Sequence, residues 1–258
     1  MSYDTAALDA LVTEMITPVR RERPALGETS SWTERGTLES ARGTIAYWSA
    51  GSGSPVLLVH GWEGTHDDLS GFVAPLVDSG RRVVALDLFA HGESSGSSAS
   101  LDDLAESVRA AGARFGPFEG VIAHSIGCAA AGIALAGGTL AERAVLVSTP
   151  VRYERYVSGY AEHAGIPVSA LVAAFARRGI DVASFDLQRS AAAIDIAALI
   201  VHSLDDRVTL ISGAEAVAAA WRNSTFLRVD GLGHMRILRD PDTIAAATRF
   251  VTGARLAP

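Results

Sequence analysis

From residue 55 onward the chain alternates between short apolar runs and longer amphipathic stretches. The runs are PVLLVH (55–60), RRVVALDL (81–88), EGVIAH (119–124), RAVLVS (143–148), AALIVH (197–202) and STFLRV (224–229). They are nearly unbroken Val, Leu and Ile, the pattern of strands covered on both faces in a parallel sheet. Helical patterns separate most of them, at 66–79, 100–114, 126–137, 209–222 and 241–252. Strand and helix in alternation predict an α/β, doubly wound, mostly parallel sheet with right-handed crossovers.

Upstream, WTERGTLESARGTIAYWSAG (32–51) alternates as one or two antiparallel strands joined through Gly43, which brings the expected total to about eight strands. Leu8, Leu11, Val12, Met15, Ile16 and Val19 recur at helical spacing, so residues 1–25 are read as an N-terminal amphipathic helix. That helix is expected to pack on the domain; a homodimer contact and a membrane-surface role are the alternatives. Its acids Asp4, Asp9 and Glu14 interrupt the apolar residues and its arginines follow them, so it does not read as a signal peptide. Residues 26–258 are expected to form one domain. The alternation breaks once, between Ser148 and Ala197, where VRYERYVSGYAEHAGIPVSALVAAFARRG reads as helical pieces broken near Gly165 and Pro167. A compact fold rarely carries so long a connection without purpose, and residues 150–192 or so are expected to be a small helical lid insertion.

Composition narrows the function. With 48% hydrophobic and 20% charged residues, a buried core is expected. A net charge of −7 argues against nucleic-acid binding. All 22 basic residues are arginine, which excludes a Walker-type phosphate loop, a Schiff-base lysine and a Ser-Lys dyad. Cys128 is the one cysteine, so no intrachain disulfide forms. No apolar run is long enough to span a bilayer, and the cytoplasm is the expected compartment. GSGSP (51–55) precedes its strand and opens no helix, which removes a dinucleotide-binding reading. No cofactor and no metal are expected.

In an open parallel sheet ligands bind beyond the carboxyl ends of the strands. Ser125, the pair Asp205 and Asp206, and His234 all fall on that edge. A literal Gly-x-Ser-x-Gly search hits GESSG (92–96), yet Ser94 lies six residues past Leu88 and no helix starts after it. Ser125 has EGVIAH directly behind and IGCAAAGIALAGG directly ahead, the strand–turn–helix setting that projects a hydroxyl and offers free N–H groups beside it. A hydroxyl needs a base. Of seven histidines, His234 is chosen by position, in the glycine-flanked loop VDGLGHMRI after the last strand. Either Asp205 or Asp206 is placed to orient it.

These segments resemble the α/β-hydrolase superfamily over roughly residues 40–254, in its serine hydrolase, esterase- or lipase-like branch. LLVHGW is similar to the family's oxyanion segment, ALDLFAHGESSG to its Asp-x-x-Gly-His-Gly-x-Ser loop, and AHSIG to the nucleophile elbow with Ala123 in the first glycine position. VHSLDDRV is similar to the acid segment with Ser203 for glycine, and GLGHM to the histidine loop. The order Ser, Asp, His is also the family's. The resemblance implies Ser125 as nucleophile, His234 as general base and acid, Asp206 as the orienting acid, and the backbone N–H groups of Trp62 and Ile126 as the oxyanion hole.

The implied reaction is cleavage of a small to medium carboxylic ester through an acyl-enzyme on Ser125. Thioesterase, amidase and C–C hydrolase activities share the triad, and a ligand-binding protein without activity is the contrasting class. Relatives that cleave haloalkanes or epoxides carry Asp where Ser125 stands. Trp62, His124 and Arg155 are expected as substrate contacts. Arg155 lies one helical turn from Arg152, facing an anionic group or solvent.

Overall fold

The structure, a computed structural model, describes residues 4–20, 32–138 and 140–253. Residues 1–3 and 21–25 of the expected N-terminal segment lie outside the described residues. Among the described residues eight strands form one sheet: β1 (Glu34–Ser40), β2 (Gly43–Gly51), β3 (Pro55–Val59), β4 (Arg82–Leu86), β5 (Gly120–His124), β6 (Arg143–Val147), β7 (Ala197–Ser203) and β8 (Ser224–Val229). Their spatial order is β1-β2-β4-β3-β5-β6-β7-β8. β2 pairs antiparallel with β1 and β4, and every other pairing is parallel.

The unbroken apolar runs are explained by cover on both faces. Successive side chains of a strand point to opposite sides, and here each side meets its own core. Leu57, Val59, Val84, Leu86, Val121, Ala123, Ala144 and Leu146 enter one apolar cluster, with Leu104 and Val108 of α3 (Leu101–Phe115) and Ala130 and Ala134 of α4 (Ile126–Ala136). Their neighbours Val56, Leu58, Val83, Ala85, Ile122, Val145 and Val147 enter the other, with Phe72, with Leu76 of α2 (Val73–Asp78), and with Ala247 and Val251 of α10 (Pro241–Val251). β1, at the edge, alternates instead.

Two predicted helices are altered by local chemistry. The stretch 66–79 divides into a 3-10 helix, His66–Phe72, followed by α2. Pro75 has no N–H to give to the carbonyl four residues back, so it fits only the first turn of an α-helix. The predicted helix 209–222 starts later, as α8 (Ile211–Ala220), because the N–H groups of Val208 and Thr209 are bound by the Asp206 carboxylate. Between β6 and β7 the chain makes three helices, α5 (Tyr153–His163), α6 (Val168–Arg177) and α7 (Leu187–Ala191), with the break at Gly165 and Pro167. The N-terminal helix α1 (Thr5–Met15) is capped by the Asp4 carboxylate. Leu8, Val12 and Met15 bury one face of it against Val157 and Ala161 of α5 and Leu171, Ala174 and Phe175 of α6, a third cluster separate from the two sheet cores. No helix among the described residues is long and apolar enough to cross a membrane.

α4 lies against β3 through glycine. A Cβ on Gly127 would press into the backbone carbonyl oxygens of His60 and Val59, the latter at 2.7 Å. Backbone cannot swing aside as a flexible side chain does. Gly127→Ala is therefore expected to destabilise the fold by roughly 2–3 kcal/mol, the cost of overpacking a rigid contact. Urea unfolding measures it; an unchanged midpoint means that the helix has room to move outward.

Candidate active site

The nucleophile candidate sits where strand becomes helix. Ser125 has φ 51° and ψ −127°, a left-handed conformation that costs a non-glycine residue about 1–3 kcal/mol. The turn is held because its N–H donates to the Val147 carbonyl at 3.0 Å and its own carbonyl accepts from Cys128 N–H at 2.9 Å. Although Ser125 is the N-cap of α4, its hydroxyl caps nothing. It donates instead to His234 Nε2 at 3.0 Å.

His234 arrives on the single-turn helix α9 (Gly233–Arg236), after Gly231 (φ 74°) and Gly233 (φ 58°), which take positive φ with no Cβ clash. Its Nδ1–H donates to Asp206 Oδ2 at 2.8 Å, so Nε2 is left as the acceptor. The two adjacent acids divide the work. Asp206 takes the ring; Asp205 takes the loop, its Oδ1 accepting from Gly233 N–H at 2.8 Å. Ser203 accepts through Oγ from Leu232 and Gly233 N–H at 3.2 Å each.

Burial pushes the Asp206 carboxyl upward, but hydrogen bonds from His234, Thr209 and Val208 outweigh it and hold the group well below the usual carboxylate range. It is an anion beside the imidazole. Thr209 supplies both its N–H, at 3.0 Å to Oδ1, and its hydroxyl, at 3.0 Å to Oδ2. Sequence reasoning missed Thr209, Ser203 and the role of Asp205. A carboxylate binding the N–H groups two and three residues on is a common turn, and that was the available signal for Thr209.

The expected oxyanion donors flank Ser125. Ile126 opens α4, where helix N–H groups have no intrahelical acceptor. Trp62 follows Gly61, at which a Cβ would lie 3.1 Å from Ser125 Cβ, so the two turns are in contact. Neither N–H donates to a backbone carbonyl among the described residues. The Trp62 ring meets His91 edge-on at 5.0 Å. His124, expected as a substrate contact, is 2% exposed and its Nε2–H donates to the His234 carbonyl at 3.0 Å. It braces the histidine loop from below. Arg155 is exposed and lines a cavity of about 400 Å³ with Val151, Arg152, Ser158, Gln188 and Ser212, apart from the side chains of Ser125, Asp206 and His234.

A family model described as "Alpha/beta hydrolase family" matches residues 56–247. The chain belongs to the alpha/beta hydrolase family. Solved structures of the same fold include an esterase of Pyrococcus furiosus (TM-score 0.73, 18% identity, 92% of this chain and 99% of that one). The esterase RhEst1 of a Rhodococcus species follows at TM-score 0.67 and 20% identity, over 86% of this chain and all of that one. A bromoperoxidase of Bacillus anthracis superposes with TM-score 0.68 at 14% identity, over 85% of this chain and all of that one. At such identities the likeness is one of fold. No curated protein sequence matches the chain.

In this alpha/beta hydrolase the buried histidines are neutral. Burial, with neighbouring His91, lowers His60 to about 3, and burial, with neighbouring His234, lowers His124 to about 3. His60 is locked by donating to Gly61 O at 2.7 Å and accepting from Leu88 N–H at 2.9 Å. An unfolded chain protonates both rings near pH 6.5. Below that pH the unfolded state takes up protons that the native state refuses, so stability is lost progressively toward pH 3. From pH 7 to pH 5 the two rings together are expected to lower stability by roughly 3–4 kcal/mol. Urea midpoints at the two pH values check it, and a flat profile would contradict neutral burial.

Proposed function

We propose that the protein is a serine hydrolase acting on a small to medium carboxylic ester, with Ser125 as nucleophile, His234 as general base and acid, and Asp206 as the orienting anion. The observation that carries this is the continuous path from Ser125 Oγ to His234 Nε2 at 3.0 Å and from His234 Nδ1 to Asp206 Oδ2 at 2.8 Å. The absence of any capping bond from Ser125 is consistent with it. Ser148 also ends a strand at positive φ, so the strain alone marks no nucleophile; what supports this reading for Ser125 is the imidazole on its hydroxyl.

In this reading Ser125 Oγ attacks the ester carbonyl carbon as its proton passes to His234 Nε2. The oxyanion that forms accepts from the N–H groups of Ile126 and Trp62, a fixed pair of donors aimed where charge develops. The alcohol leaves with the proton from His234, and an acyl-enzyme remains on Oγ. Water, deprotonated by His234, attacks the acyl carbon, and the acid departs as Ser125 is restored. Asp206 stays ionised throughout; its depressed pKa suits it to stabilise the imidazolium. Helices α5 to α7 serve as the lid. The ester reading is supported by the esterases among the structures of the same fold; thioesters, amides and C–C bonds are the alternatives on the same triad.

Labelling by a fluorophosphonate probe is expected for the wild type and not for Ser125→Ala, with p-nitrophenyl ester hydrolysis falling at least about 1000-fold. No labelling of the wild type overturns the reading in favour of a ligand-binding member of the fold. Arg155 is the group proposed to face an anionic substituent of the substrate. Arg155→Ala should then lower the ratio of activity on carboxylate-bearing to neutral esters; an unchanged ratio removes Arg155 from the site.

A further inference from the structure

We infer that Thr209 is a positioning residue of the Ser125–His234–Asp206 relay, its hydroxyl acting on His234 through the Asp206 carboxylate. The inference rests on the catalytic reading above and extends it to a residue outside the triad.

The Asp206 carboxylate receives four hydrogen bonds: Val208 N–H at 2.8 Å and Thr209 N–H at 3.0 Å on Oδ1, and His234 Nδ1–H at 2.8 Å and Thr209 Oγ1 at 3.0 Å on Oδ2. The two groups on Oδ2 are the imidazole and the threonine hydroxyl, and they approach one another to 3.5 Å at Thr209 Oγ1 and His234 Nδ1. The hydroxyl has one proton and two acceptors in reach, Asp206 Oδ2 and the Ser148 carbonyl at 3.1 Å. The ionised carboxylate is the stronger acceptor. Ser148 is itself left-handed, at φ 52°, directly after Val147, whose carbonyl holds the Ser125 N–H. One side chain thus touches the acid and the strand end that supports the nucleophile turn.

Thr209 is in turn fixed from beneath. The buried His202 donates Nε2–H to the Thr209 carbonyl at 2.9 Å, which keeps that proton away from Asp206 Oδ2, 3.6 Å distant. The ionisable groups facing His234 are therefore Asp206, an anion, and two histidines, His124 and His202, that burial holds neutral. A hydroxyl pointing its hydrogen at Oδ2 puts positive charge density beside the anion and moderates its pull on the imidazole proton. Without it the carboxylate is more negative toward His234, and the imidazolium is favoured.

Thr209→Val keeps size and branching and removes the hydroxyl; Thr209→Ser keeps the hydroxyl. On a soluble p-nitrophenyl ester, Thr209→Val is expected to lower kcat about tenfold with KM unchanged, because a carboxylate held by one bond fewer orients the imidazole less well toward Ser125. The acid limb of its pH–rate profile should move up by about half a unit to one unit, and Thr209→Ser should restore both. NMR titration of the His234 imidazole should show the same upward move in the resting protein. Thr209→Ala replaces the valine variant should that fail to fold. Unmoved titration in the hydroxyl-free variants, or a serine variant that behaves like valine, overturns the inference. Because the NMR readout does not depend on turnover, it stands or falls separately from the serine hydrolase reading.

Discussion

A parallel strand that must become a helix within one residue has few conformations available, and the site is organised around that turn. Ser125 accepts a left-handed backbone because both neighbours demand it: β5 is fixed by pairing with β3 and β6, and α4 is drawn onto the sheet by a face of Gly127, Ala130 and Ala134. The Gly61 turn leaves room for the Ser125 Cβ. The strain also aims the hydroxyl, since a residue turned this way points its side chain away from the helix it would otherwise cap.

Around the turn, burial sorts the ionisable groups by what each can bond. His60, His91, His124 and His202 are all driven neutral by desolvation. Three of them spend an N–H on a backbone carbonyl of a site loop: His60 on Gly61, His124 on His234 and His202 on Thr209. His234 alone faces both an anion and a hydroxyl. Burial acts on Asp206 with the opposite outcome, because its hydrogen-bond donors exceed the desolvation cost. The same low-dielectric surroundings thus give neutral braces and one charged partner, depending on whether donors converge on the group.

Much of this was legible in the chain. The sheet and its two covered faces follow from uninterrupted apolar runs, and the rejection of Ser94 followed from the absence of a helix after it; Ser94 is buried and donates its hydroxyl to the Asp87 carbonyl. The late start of α8 was not legible, since the helical period extends through Thr209 while the carboxylate of Asp206 removes the backbone donors there. His124, expected as a substrate contact, is buried and gives its Nε2–H to the His234 carbonyl, an orientation that its place at a strand end does not fix.

What the sequence by itself determined is the sheet, its carboxyl edge and the candidacy of Ser125 and His234 on that edge, because hydrophobic period and strand ends are local properties of the chain. The family resemblance already pointed to Asp206, whose carboxylate meets the imidazole; only the tertiary structure decided that Asp205 holds the histidine loop. Neighbouring residues in an irregular segment have no periodic direction. Their orientation is settled by hydrogen bonds to Ser203, Thr209 and Gly233, groups that fold to them from other parts of the chain or from turns that exist only once the sheet has closed.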